Sequence, residues 1–238
     1  MGDPVRLQIA VLAGACMLLA GCTDVVDGNA VAGEKAGLAN QTPIPVSALD
    51  DLMLDASQIN SALGATSMKV WFNAKVMWDW SKNVNDKNCL AVDGAAQGRV
   101  YEGTGWTSMR GQRLDDSIDD SKKRKHYAIQ AVVAFPDAQE AGNFFKSSVQ
   151  SWKSCSNRRF NDVSPNQPAT VWSVGDVTND NGMLTSSQVQ EGGDGWTCQR
   201  ALTVRNNLAI DVVTCAYDIS GPSATQIAGQ IATKVAKL

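Results

Sequence analysis

Trp196-Thr197-Cys198-Gln199-Arg200-Ala201-Leu202-Thr203-Val204-Arg205, then Asn206-Asn207, then Leu208-Ala209-Ile210-Asp211-Val212-Val213-Thr214-Cys215-Ala216-Tyr217 is the stretch that decides the fold. Two β-rich runs flank a pair of asparagines, and asparagine tolerates the positive φ that a tight two-residue turn requires. Centring a hairpin on that pair sets Arg205 opposite Leu208 and Val204 opposite Ala209. Continued outward, the count brings Cys198 directly opposite Cys215. Reckoned from the hydrogen-bonded pair at the turn, this is a non-hydrogen-bonded position, where side chains come closest. The register therefore predicts a cross-strand disulfide, provided no bulge shifts the count.

The N-terminal end carries a different kind of signal. Leu19-Ala20-Gly21-Cys22 closes an apolar run that begins at Ile9, with Arg6 as a thin basic flank. Small residues just before a cysteine resemble the bacterial lipobox: the peptidase cleft admits no bulk there, and the Cys22 thiol is the acyl acceptor. The run is shorter than the ~20 residues of a membrane span. Residues 1–21 are thus expected to be a lipoprotein signal peptide. Cys22 is expected to carry lipid of the palmitate type, attaching the protein to the extracytoplasmic side of the cell membrane. Residues 22–45, rich in Ala, Gly, Asn and Asp without apolar periodicity, read as a flexible tether. The folded domain is expected over 46–238.

Of six cysteines, Cys16 leaves with the signal peptide and Cys22 goes to lipid. Cys89, Cys155, Cys198 and Cys215 remain, an even number in an exported domain. With Cys198 facing Cys215, Cys89 is left for Cys155. No C-x-x-C occurs and His126 is the one histidine, so no metal or other cofactor is expected. A net charge of −3 gives no basic footprint for nucleic acid. The charged and apolar fractions are those of a globular chain rather than a disordered one.

Around the hairpin the periodicities alternate in kind. Leu49, Leu52, Met53, Ala56, Ile59 and Leu63 recur at helical spacing between a capping Ser47 and Gly64. Asn85 to Asn88 offer caps for a short helix running to about Ala96. Trp106 to Leu114 and Tyr127 to Phe135 read as strands, with Asp115–Lys125 a solvated loop between them. Pro136 suits the first turn of a helix whose apolar stripe is Ala138, Ala141, Phe145, Val149 and Trp152. Ala169 to Val177 and Met183 to Gln190 are strands joined by a turn, and a final helix starts near Pro222. Helix, strands, helix, strands, helix predicts an α+β domain with a largely antiparallel sheet.

At these residues the chain resembles the extracellular sensor domain of PknH-type mycobacterial serine/threonine kinases, over roughly 45–237. The resemblance rests on Cys89 ahead of Tyr101 and Trp106, Phe135-Pro136-Asp137-Ala138, Trp152-Lys153-Ser154-Cys155, Trp196-Thr197-Cys198-Gln199-Arg200, and Asn206-Asn207 followed by Asp211-Val212 and Cys215. It implies an α+β fold with two disulfides and a cleft that receives a ligand. The chain departs from the kinases in joining this domain to a lipidation signal, so no kinase output carries over.

Catalytic signals are thin. His126 follows Lys122-Lys123-Arg124-Lys125 and has no nucleophile elbow to serve, so it reads as a surface residue. Asp115-Asp116 and Asp119-Asp120 read as solvating acids. Seven tryptophans outnumber the tyrosines and phenylalanines individually, and an indole offers flat apolar area with one donor. Trp78 and Trp80, on one side of an extended segment, and Trp106 and Trp172, near loops, are the candidate lining of a ligand groove for an envelope lipid, glycan or peptide. Two classes follow: a non-catalytic, membrane-attached ligand-binding protein, or a cell-envelope hydrolase using carboxylates. The first accords better with the missing nucleophile. Cys22→Ser is expected to move the exported protein from the membrane to the soluble fraction on fractionation; unchanged membrane partition refutes the anchor.

Overall fold

The hairpin forms as the two strands at the middle of a nine-stranded sheet. A computed structural model describes residues 41–117, 124–163, 168–217, 219 and 221–238. The expected signal peptide, Cys22 and most of the tether lie outside the described residues, as do Asp119 and Asp120. The strands are β1 (Lys69–Ala74), β2 (Ser108–Asp115), β3 (His126–Ala134), β4 (Arg159–Asp162), β5 (Thr170–Val174), β6 (Thr178–Asp180), β7 (Met183–Gln190), β8 (Trp196–Arg205) and β9 (Leu208–Tyr217). The α-helices are α1 (Leu49–Leu52), α2 (Ala56–Leu63), α3 (Leu90–Asp93), α4 (Gly98–Tyr101), α5 (Ala138–Lys153) and α6 (Ser223–Val235). The sheet runs β1-β2-β3-β9-β8-β7-β5-β4, with β6 hairpinned onto β7, and every named pairing is antiparallel. This is the expected α+β class. Among the described residues no helix is long and apolar enough to cross a membrane.

The register of β8 on β9 runs without a slip from Arg205 opposite Leu208 to Cys198 opposite Cys215. The two cysteines are bonded, with Cα atoms 4.0 Å apart, the close spacing of a non-hydrogen-bonded pair. Cys89 is bonded to Cys155. The two turn asparagines divide the work. Asn206 alone of the pair takes a positive φ, 51°. Asn207 is buried and accepts from the Ile44 amide at 2.8 Å while donating to the Phe135 carbonyl at 2.9 Å, stapling the start of the domain to the hairpin tip.

Both faces of the central strands are covered, so β3 and β9 read as nearly continuous apolar runs. Ile129, Ala131 and Val133, with Ala209 and Val213, face one core beneath α3, α4 and α5. Ala128, Val132 and Ala134, with Leu208, Ile210 and Val212, face the other beneath α1, α2 and α6. The period-2 alternation of a strand is what divides one sequence between two cores.

Several local expectations change. The helix expected from Ser47 to Gly64 is broken in two. Ser47 lies in a 3-10 turn (Val46–Ala48) that no side chain caps. The break falls at 53–55 because the buried Gln130 side chain both accepts from Leu54 N and donates to Leu54 O, taking that peptide out of any helix. The chain restarts at Asp55, whose carboxylate and Gln58 form a reciprocal capping box. Pro136 precedes α5 rather than opening it, and Asp137 is the cap, accepting from Glu140 N. The helix buries Ala138, Ala141, Phe144, Ser148 and Trp152, so the stripe is rotated from the expected one and leaves Phe145 and Val149 half-buried. The short strands β1 and β4, at the two edges, have no counterpart among the expected elements.

The two disulfides close loops of unequal length, with sequence separations of 17 and 66. In the chain-entropy picture the hairpin bridge contributes about 3 kcal/mol and the longer one about 4 kcal/mol. A Cys89→Ser/Cys155→Ser double variant is therefore expected to lose more stability in urea than Cys198→Ser/Cys215→Ser; the reverse order would refute the loop-length account.

Candidate functional site

The site begins with two charges inside otherwise apolar strands. Arg200 on β8 and Asp211 on β9 are both buried, and Nη2 lies 2.8 Å from Asp211 Oδ1, an ionic contact rather than a well-directed hydrogen bond. The guanidinium also donates to the carbonyls of Ala91 (3.0 Å), Val92 (3.1 Å) and Gly94 (3.1 Å), and to that of Val212. Its plane sits 4.8 Å from the Trp152 ring. The other Asp211 oxygen accepts from Ala96 N at 2.8 Å and the Tyr101 hydroxyl at 3.0 Å. A one-turn helix cannot satisfy its own C-terminal carbonyls. Here an arginine from the sheet satisfies them, fixing the segment from α3 to α4 against the hairpin.

That segment ends in a tight fit. A Cβ built on Gly94 would lie 2.4 Å from the Trp80 ring, so only glycine lets the indole close over it. Trp80 N donates to Gln97 Oε1 at 2.8 Å. Asp93 is held between these contacts at the edge of a cleft of about 310 Å³, near the lower end of the ~300–1,000 Å³ found for small-molecule sites. Trp80, Asp93, Tyr127, Asp162, Trp172, Gln188 and Trp196 line it, with Asn83, Arg124, Val213 and the Cys198–Cys215 bridge.

Burial pushes the Asp93 carboxyl up to about 7, and the nearby Asp162 charge adds to the rise. A hydrogen bond from Gln188 Nε2 (3.3 Å) and the Arg200 charge oppose it. Burial also raises Asp162. The Tyr127 hydroxyl, raised by burial to about 12, stays protonated through the neutral range. Four polar atoms on lining residues are shielded from water and lack a hydrogen-bond partner: Asp162 Oδ1, Gln188 Oε1, Trp172 Nε1 and Arg124 Nε. The Arg124 charge is countered without a directed hydrogen bond, its Nε lying 3.4 Å from Asp115 and the guanidinium over the Tyr127 ring at 4.9 Å.

The candidate tryptophans part company. Trp80 and Trp172 line the cleft. Trp78 lies against Gly111, where an added Cβ would come within 2.8 Å of its ring, and serves the core. Trp106 likewise packs on the core away from the cleft. Trp196, unmarked as a candidate in the sequence, contributes a wall and packs edge-on to Tyr217 at 4.9 Å. Asp93 and Gln188 are further lining residues that sequence reasoning missed. An acid inside Leu90-Ala91-Val92-Asp93 and an amide at a buried strand position were signals within reach. Asp115 is no solvated loop acid either: it is fully buried between Arg113 (2.9 Å) and Arg124. His126 and Asp116 form a 2.6 Å contact rather than standing free. Among the described residues, no group of three or more His, Cys, Asp or Glu is placed to hold a metal.

The raised Asp93 carboxyl has a consequence for stability. The folded state binds its proton up to about pH 7 and the unfolded chain only to about its ordinary value, so stability falls as pH rises between the two. Asp162, Gln188, Arg200 and Tyr127 face the group. Asp93→Asn is expected to match wild type near pH 4 and to exceed it by ~2–4 kcal/mol at pH 8 in urea unfolding. A pH-independent difference would refute the assignment.

The fold has a known counterpart. Residues 44–234 match the family model of the PknH-like extracellular domain. The chain is 35% identical over 199 residues to the serine/threonine-protein kinase PknH of Mycobacterium bovis (strain ATCC BAA-935 / AF2122/97), and likewise to that of Mycobacterium tuberculosis (strain ATCC 25618 / H37Rv). Each alignment covers 83% of this chain, which spans about a third of those relatives' length (33% and 31%). The crystal structure of the extracellular domain of PknH from Mycobacterium tuberculosis superposes with a TM-score of 0.77 at 32% identity, covering 83% of this chain and 99% of that one. The chain is a member of the PknH-like extracellular domain family.

Proposed function

We propose that this protein is an extracytoplasmic lipoprotein, attached to the cell membrane through Cys22, whose cleft binds a small envelope ligand without transforming it. The cleft carries the reading: a cavity of about 310 Å³ has three indole walls and buried polar groups converging from separate segments. That is the composition of a binding pocket, apolar surface with a few placed polar groups. The similarity supports the location, since the matched part of the relatives is named as extracellular. In the relatives the matched extracellular domain belongs to a serine/threonine-protein kinase. In this chain the corresponding output is presentation or relay of an occupied cleft at the membrane.

The cleft is also built to hold its shape. Its walls are tied by the Cys198–Cys215 bridge and the Arg200 contacts, and the Cys89–Cys155 bridge fastens α3 to the end of α5. A pre-formed site loses less freedom on binding than one that must be ordered.

The full-length protein is expected to gain thermal stability in a mycobacterial envelope extract, with a saturable change in tryptophan fluorescence. Asp162→Arg places a long cation beside Asp93, filling the cleft while supplying a counter-charge, and should abolish both responses. A response that survives Asp162→Arg, or none in the wild type, overturns cleft binding; turnover of an extract component overturns the non-catalytic reading.

A further inference from the structure

We infer that the ligand of this cleft is a neutral saccharide. The inference rests on the reading of the cleft as a binding site and adds the chemistry of its occupant. Of the four unpartnered atoms on lining residues, Asp162 Oδ1 and Gln188 Oε1 are acceptors, whereas Trp172 Nε1 and Arg124 Nε are donors, the last with its charge countered by Asp115 at 3.4 Å. Gln188 and Trp172 are each more than nine-tenths buried, so water does not meet their needs from outside. An ammonium ligand has only donors to offer and leaves the indole N–H unmet. A phosphate or carboxylate has only acceptors at neutral pH and leaves both oxygens unmet, beside two carboxyl groups. A hydroxyl is donor and acceptor at once, and a ring bearing several answers both demands.

The walls agree with that chemistry. Trp80, Trp172 and Trp196 present flat apolar area, which suits the C–H faces of a sugar ring between its hydroxyls. The charge of the lining cation, Arg124, is already countered by Asp115 at 3.4 Å and the guanidinium lies over the Tyr127 ring, so it does not make the cleft an anion receptor. The Gln188 amide is anchored at its nitrogen by Asp93, which turns the remaining amide oxygen into a fixed acceptor. Asp93 and Asp162 are close enough to raise the former's proton affinity, so a bound polyol also meets a carboxyl able to donate near neutral pH.

The test separates a mycobacterial envelope extract into neutral, anionic and cationic water-soluble fractions by ion exchange. Each is applied to the full-length protein, and the neutral fraction is also applied after periodate cleavage of vicinal diols followed by borohydride reduction. The neutral fraction is expected to raise the melting temperature and the periodate-treated one to leave it unchanged. Trp172→Phe keeps an aromatic face, though a smaller one, and removes the N–H, and should weaken the response at least about fivefold, the worth of one neutral hydrogen bond. A shift confined to a charged fraction, or one that survives periodate, overturns the saccharide while leaving cleft binding in place, provided Asp162→Arg abolishes it. The absence of any shift blocked by Asp162→Arg overturns both.

Discussion

The buried Arg200–Asp211 pair is the constraint on which the rest of the site depends. It joins adjacent strands, but its larger effect is outward, because the arginine satisfies carbonyls of residues 91, 92 and 94 and the aspartate holds the amide of residue 96. Removing one member of such a pair leaves an uncompensated buried charge and typically costs about 3–5 kcal/mol, whereas the intact pair adds little net stability over an apolar replacement. Its importance is therefore positional. A segment of two single-turn helices has too few internal hydrogen bonds to hold itself, and the pair, with the longer Gln188 contact to Asp93, dictates where Gly94, Trp80 and Asp93 stand.

The cleft departs from the rule that buried polar groups find partners. Four atoms on lining residues lack a hydrogen-bond partner while two carboxyl groups are kept close together. Each unmet group costs about 1–3 kcal/mol, and the raised Asp93 carboxyl adds to that. Two disulfides and two cores on opposite faces of one sheet offset such local cost. The family relationship is consistent with this division, since the fold is shared at a TM-score of 0.77 while only about a third of positions are identical.

Much of the framework was legible in the sequence for local reasons. The hairpin register follows from one turn residue and the two-residue period of a strand, so Cys198 opposite Cys215 could be counted. Gly64 closes its helix at φ 65°, a left-handed conformation a glycine adopts freely. The failures are equally physical. The first helix breaks at Leu54 because Gln130, far along the chain, binds both polar atoms of that peptide. The edge strands β1 and β4 are short and carry weak alternation, so their pairing partners define them.

The sequence by itself determined the class of the fold, the hairpin register and the four disulfide cysteines, because periodicity and turn chemistry act over a few residues. It also marked tryptophan as the aromatic with an uneven share. Only the tertiary structure decided which indoles serve the cleft and which the core. Trp78 and Trp80 are two residues apart, yet one is spent covering Gly111 and the other closes on Gly94 at the cleft edge. Trp80, Asp93, Asp162, Trp172, Gln188 and Trp196 come from separate segments with no shared period, so their meeting depends on strand order and on the buried arginine. A contact between distant segments leaves no periodic trace in either one, and that is why the cleft had to be seen rather than read.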